Sequence, residues 1–189
     1  MAWTSRALAL LPVIAWTHPV HAENERALSL SAGYATFSTP GKQTGNQAPP
    51  DVTPDGGGAL SVSYEHTFGT DFSLRGELAG AYFHGGNDPK MMQSASSFAG
   101  LADIGFVYRF DIYTVVPYVF AGVGGIASSG GPIDQHGASD ELVVVIGGGA
   151  DWLLARDHSW GGEVRFASFG GDISLATFSL RYTTRWGFF

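Results

Sequence analysis

Few residues in this chain have the types and spacing that chemistry needs. His158 and Ser159 stand side by side, and a hydrolase working at a lipid interface needs a histidine and a serine within hydrogen-bond reach, oriented by a carboxylate. Neighbours on an extended chain point to opposite faces, so this pair does not converge. His84 has no serine two residues away, His66 lies toward the same end of the chain's hairpins as His158, and His136 falls in a loop. Asp134, His136, Asp140 and Glu141 form a set of the kind that gathers a hard cation, but acidic loops of this composition are ordinarily only solvated. The sequence therefore assigns no catalytic residue, no cofactor and no metal site.

The charged residues are more informative than the histidines. Glu65, Glu77, Asp103, Asp151 and Glu163 are matched in number by Arg75, Arg109, Arg165, Arg181 and Arg185, and each alternates with apolar neighbours. In 72–83 the row Phe72, Leu74, Gly76, Leu78, Gly80, Tyr82 faces one way, and Ser73, Arg75, Glu77, Ala79, Ala81 the other. The same split sets Phe98, Ala102, Ile104, Phe106 and Tyr108 against Asp103 and Arg109, and Trp160, Val164 and Phe166 against Glu163 and Arg165. It also sets Phe178, Leu180, Tyr182, Trp186 and Phe188 against Arg181 and Arg185. Period-2 alternation is the signature of a strand whose two faces meet different surroundings. His66 is the notable polar intruder in the apolar rows. In 115–126 both rows are apolar, and the alternation leaves its facing open.

Eight such segments are expected, at 27–37, 59–68, 72–83, 97–110, 115–126, 141–154, 160–168 and 175–188. An even number lets an antiparallel sheet close on itself and remove its edges. Long connections (38–58, 84–96, 127–140) alternate with short ones (69–71, 111–114, 155–159), as in barrels whose tight turns face the periplasm. Aromatic residues cluster near the segment ends, where a membrane barrel carries its interfacial girdles. Phe68, Phe72, Tyr108, Phe110, Trp152, Trp160, Trp186 and Phe188 fall at the short-turn end, and Tyr34, Tyr82 and Phe98 near the other.

Composition agrees. Charged residues make up 14% and aromatics 13%, with 27 glycines and no cysteine. That is less charge than a water-facing surface ordinarily carries, and without cysteine there is neither a disulfide nor a lipoprotein anchor. Residues 1–22 read as a secretory signal peptide, with Arg6 before the apolar run Ala7 to Trp16 and an exit ending Val20-His21-Ala22. The run is about half the roughly 20 residues that a spanning helix requires. Without Arg6, nine bases stand against 17 acids, which argues against nucleic acid as a partner. The expected organisation is a signal peptide over 1–22 and one barrel domain over 23–189.

Pro117-Tyr118-Val119-Phe120-Ala121-Gly122-Val123-Gly124-Gly125, then Ile146-Gly147-Gly148-Gly149-Ala150-Asp151-Trp152, and the finish Trp186-Gly187-Phe188-Phe189 resemble the outer-membrane protein A-like superfamily of eight-stranded transmembrane β-barrels. The resemblance spans the mature chain. It implies an all-β, eight-stranded antiparallel transmembrane barrel in the bacterial outer membrane, in contact with outer-membrane lipid and inserted by the barrel-assembly machinery. The lipid-facing row here ends at Phe188 and not at the terminal Phe189. Small barrels of this architecture include palmitoyltransferases and deacylases that modify lipid A, so a lipid-modifying enzyme is one alternative. A soluble lipocalin-like barrel, with its apolar row inside, is another. The expectation carried forward is a non-enzymatic barrel with a structural or surface-interaction role, its lumen closed by paired charges. The sequence names no extracellular partner.

Overall fold

The computed structural model describes residues 25–39, 53–85, 96–110, 114–131, 141–169 and 173–187. The segment 1–22 expected as a signal peptide, most of the long loops with Asp134, His136 and Asp140, and the terminal Phe188 and Phe189 lie outside the described residues. Eight strands form: β1 (Arg26–Ser38), β2 (Gly56–Phe68), β3 (Phe72–His84), β4 (Ser97–Arg109), β5 (Val115–Ser129), β6 (Glu141–Leu153), β7 (His158–Phe169) and β8 (Ile173–Trp186). Each pairs antiparallel with its sequence neighbours, and β8 returns to β1 to close the barrel. Closure gives every strand two partners, which is what strands in hydrocarbon require.

All eight expected segments are present, with shifted ends. β5 continues three residues past the expected 126, because Ser129 still pairs with Phe98. β8 begins and ends two residues earlier than 175–188. The expected turn 155–159 contracts to 154–157, since the N–H groups of Leu154 and Ala155 both donate to the His158 carbonyl. His158 and Ser159 thus open β7 and do not lie in a turn. Between β2 and β3 the connection is 69–71, with Gly69 at φ 80°, a left-handed backbone that glycine adopts without steric cost.

The alternation resolves into an inside and an outside. Leu30, Leu60, Leu78, Ile104, Leu142, Ile146, Phe166 and Leu180 are exposed on the outer wall, whereas Glu65, Arg75, Glu77, Glu163, Arg165 and Arg181 are buried within. A water-facing barrel would be arranged the other way round. Exposed Phe68, Phe72, Phe110, Trp152, Trp160 and Trp186 ring the short-turn end, and Tyr34, Tyr82 and Phe98 the opposite end. From Phe72 to Tyr82 along a tilted strand is about 25 Å, the height of the apolar band of a transmembrane barrel.

The undecided strand settles with Tyr118, Phe120 and Ile126 buried inside and Val115, Val119 and Val123 exposed outside. The interior itself has two layers. Toward the long loops it is apolar, packed by Ala35, Phe37, Phe83, Leu101, Ile126, Val143, Val145 and Leu175. Toward the short turns it is charged.

Candidate functional site

The charged layer is built from inward positions of several strands, and residues an even number apart on one strand share its inner face. Arg75 and Glu77 come from β3, Glu163 and Arg165 from β7, Arg181 and Arg185 from β8, and Glu65 from β2. β3 and β7 stand across the barrel from each other in the closed order, and their charges meet in the middle. Arg75 holds Glu163 through both terminal guanidinium nitrogens, Nη1 to Oε2 at 2.7 Å and Nη2 to Oε1 at 3.0 Å. Glu77 is shared between Arg75 and Arg165. Arg165 Nη2 also donates to Glu163 Oε1 at 3.1 Å, and its other terminal nitrogen lies 4.0 Å from Asp103.

Glu163 is the hub. Besides the two arginines it accepts the Tyr118 hydroxyl at 3.0 Å and lies 3.5 Å from Arg181 Nη1. Arg181 bridges to Glu65, which Arg109 also engages, and donates to Ser29 Oγ at 2.8 Å. Nearest the short turns, Arg185 donates to Asp151 at 2.7 Å and to Ser159 at 2.9 Å, with Glu25 at 3.3 Å from its Nε. Each arginine of the layer therefore has a carboxylate partner. In a confined interior that pairing is required, because an unpaired buried charge costs several kcal/mol while matched hydrogen bonds offset the desolvation.

The meeting of Arg75, Glu77, Glu163 and Arg165 follows the sequence expectation. The sequence did not place the rings beneath them. Phe120 lies under the Arg75 guanidinium at 4.6 Å and Tyr118 under that of Arg181 at 5.0 Å, geometries in which a ring face attracts a cation. The rings fit because the adjacent inward positions of β6 are Gly147 and Gly149, where a Cβ would collide with Phe120 and Tyr118 respectively. A glycine at every second position beside an aromatic at every second position on the next strand is the signal that would have found them.

The histidines separate. His66 points outward and is half-buried, and His84 is exposed at the end of β3. His158 and Ser159 part as expected: Ser159 is buried against Arg185, while the His158 ring stacks outside on Tyr182, at 5.9 Å and 12° between planes. His158 Nδ1 lies 3.0 Å from the Tyr182 hydroxyl, and its Nε2 lies 3.2 Å from Asp157. Of the acidic set weighed as a cation site, Asp134, His136 and Asp140 are outside the described residues.

No family model matches the sequence, and no curated protein matches it. Solved structures do. The Neisserial surface protein A is 13% identical with a TM-score of 0.62, over 86% of this chain and 97% of that one. The outer membrane protein OprG of Pseudomonas aeruginosa is 10% identical with a TM-score of 0.59, over 88% and 97%. Ail, the attachment invasion locus protein of Yersinia pestis, solved with the heparin analogue sucrose octasulfate, is 14% identical with a TM-score of 0.56, over 87% and 99%. With its closed antiparallel sheet, outward apolar band and inward charges, the chain has the fold of the small eight-stranded outer-membrane β-barrels.

Proposed function

We propose that the chain is a non-enzymatic barrel of the bacterial outer membrane whose lumen is a plug and whose long loops provide any contact outside the cell. One observation carries this reading: the inward charges cancel one another across the lumen, with Glu163 bound from β3, β5 and β7 at once. An eight-stranded barrel is only about wide enough for side chains to fill, and these fill it. Groups committed to one another are poorly placed to relay ions, although ionisable residues inside a membrane often mark transport. The reading includes export by the 1–22 signal and insertion by the barrel-assembly machinery, with the short turns left in the periplasm.

The enzymatic alternative has less support. The described histidine with a carboxylate beside it, His158, meets the phenol of Tyr182 and the more distant Thr184 hydroxyl at 3.5 Å, not a serine. Its ring lies flat against Tyr182, with Trp160 on the same tyrosine at 5.1 Å, which is how a girdle packs.

Two measurements test the proposal. Folded protein should require detergent and run faster on a gel unheated than boiled; a detergent-free monomer overturns the membrane assignment. Reconstituted in planar bilayers, it should show no steady conductance, and reproducible stepwise currents from pure protein overturn the plug.

A further inference from the structure

Of the described arginines, Arg75, Arg109, Arg165, Arg181 and Arg185 are all ion-paired inside the barrel, and Arg156 also has a partner. Arg26 differs. It opens β1, is exposed on the outer wall, and makes no ion pair or hydrogen bond with another side chain among the described residues. Its register partners are His66 on β2 and Trp186 on β8. The three side chains share the outward parity of their strands, so they stand in one row across β8, β1 and β2. Residues directly opposite in such a ladder are roughly 5 Å apart. The backbone bond from Thr67 N–H to the Glu25 carbonyl, 2.8 Å, holds β1 and β2 together at this level. The neighbouring carboxylate, Glu25, is engaged with Arg185 at 3.3 Å and does not neutralise Arg26.

We propose that Arg26, His66 and Trp186 bind the phosphodiester headgroup of a phospholipid in the periplasmic leaflet; this rests on the outer-membrane reading above. The row lies at the level of the aromatic girdle of the short-turn end. A guanidinium, an imidazole and an indole each present an N–H there that no described side chain takes up. The guanidinium fork matches phosphate oxygens geometrically. Above it along the same strands the wall is apolar, with exposed Leu28, Leu30 and Val62, so a headgroup on the row has its acyl chains against hydrocarbon-like surface. The apolar continuation favours a lipid over a free anion. It also gives His66, otherwise anomalous in an apolar row, a partner at the depth where phosphates reside.

The test is native mass spectrometry of the detergent-purified barrel with added dioleoylphosphatidylglycerol, dioleoylglycerol or inorganic phosphate. Wild-type protein should retain phosphatidylglycerol adducts in preference to diacylglycerol. Arg26→Gln with His66→Gln should reduce their apparent affinity about tenfold, the scale of a lost hydrogen bond to a charged group, and Arg26→Lys should recover part of the loss. The substitutions touch no interior contact, so the unheated gel shift should persist. Equal retention by the double variant, or equal retention of diacylglycerol, overturns the site. Inorganic phosphate binding with the same dependence on Arg26 overturns its assignment to lipid. Loss of the gel shift from wild-type protein would instead undo the barrel reading, so the two failures are distinct.

Discussion

On the plug reading, Glu163 is the residue that holds the lumen shut. Its two oxygens receive Arg75, Arg165 and Tyr118, with Arg181 a little farther away, and its side chain is 2% exposed. Replacing it with alanine removes the acceptor and leaves cations in a space that cannot hydrate them freely. Glu163→Ala should therefore lower stability by about 3–5 kcal/mol, the cost of breaking a buried pair from one side, measured by urea unfolding in lipid vesicles. Arg165→Ala should act in the same direction, since it strips Glu77 and Glu163 of a donor each. If Glu163→Ala unfolds at the wild-type midpoint, the network is not energetically coupled and the pairing is incidental.

At the scale of strands, what the sequence made legible and what it hid have the same origin. Period-2 alternation is visible wherever the two faces differ in chemistry. β3, with Arg75 and Glu77 on one row and Phe72, Leu74 and Leu78 on the other, could be read directly from residue types. β5 could not, because its inner row is aromatic where it meets guanidinium groups: Tyr118 and Phe120 look as apolar as Val119 and Val123 until Arg75 and Arg181 are placed over them. The apolar layer under the long loops was hidden for the same reason, since Val143 and Val145 face inward between the outward Leu142, Val144 and Ile146. Turn ends were the least legible, and His158 and Ser159 joined β7 through backbone bonds that residue types do not announce. The β5–β6 fit gives a test by paired substitution. Gly147→Val places a Cβ against the Phe120 ring and the Val164 carbonyl, whereas Gly162→Val meets nothing within 4 Å on the outer wall. Gly147→Val should cost about 1–3 kcal/mol by overpacking, and Gly162→Val should stay within about 0.5 kcal/mol of wild type, both by unfolding midpoint. Equal effects would mean that the inner glycines do not shape the seat of the rings.

If the lumen is the plug proposed above, its two interior layers act across the whole molecule as two barriers in series that resist ions for different reasons. The charged layer is polar, but each of its arginines is paired with a carboxylate. The apolar layer offers an ion nothing to replace its water, and a narrow hydrophobic constriction blocks conduction by dewetting. Phe37 and Phe83 meet edge to face at 4.9 Å and 87° in the apolar layer, and both are essentially buried. Phe83 is seated over Gly57, where a Cβ would meet its ring. Truncating both rings, Phe37→Ala with Phe83→Ala, should cost about 3–5 kcal/mol for each fully buried ring lost, so the variant is to be examined in a bilayer that keeps it folded and checked by its gel shift. Such a barrel should still carry no steady current, because every arginine of the charged layer below keeps its carboxylate partner. Conductance should appear only when the upper rings and the Arg75–Glu163 pair are removed together. Steady current from the double-phenylalanine variant alone would show that the apolar layer is the sole barrier and that the paired charges conduct.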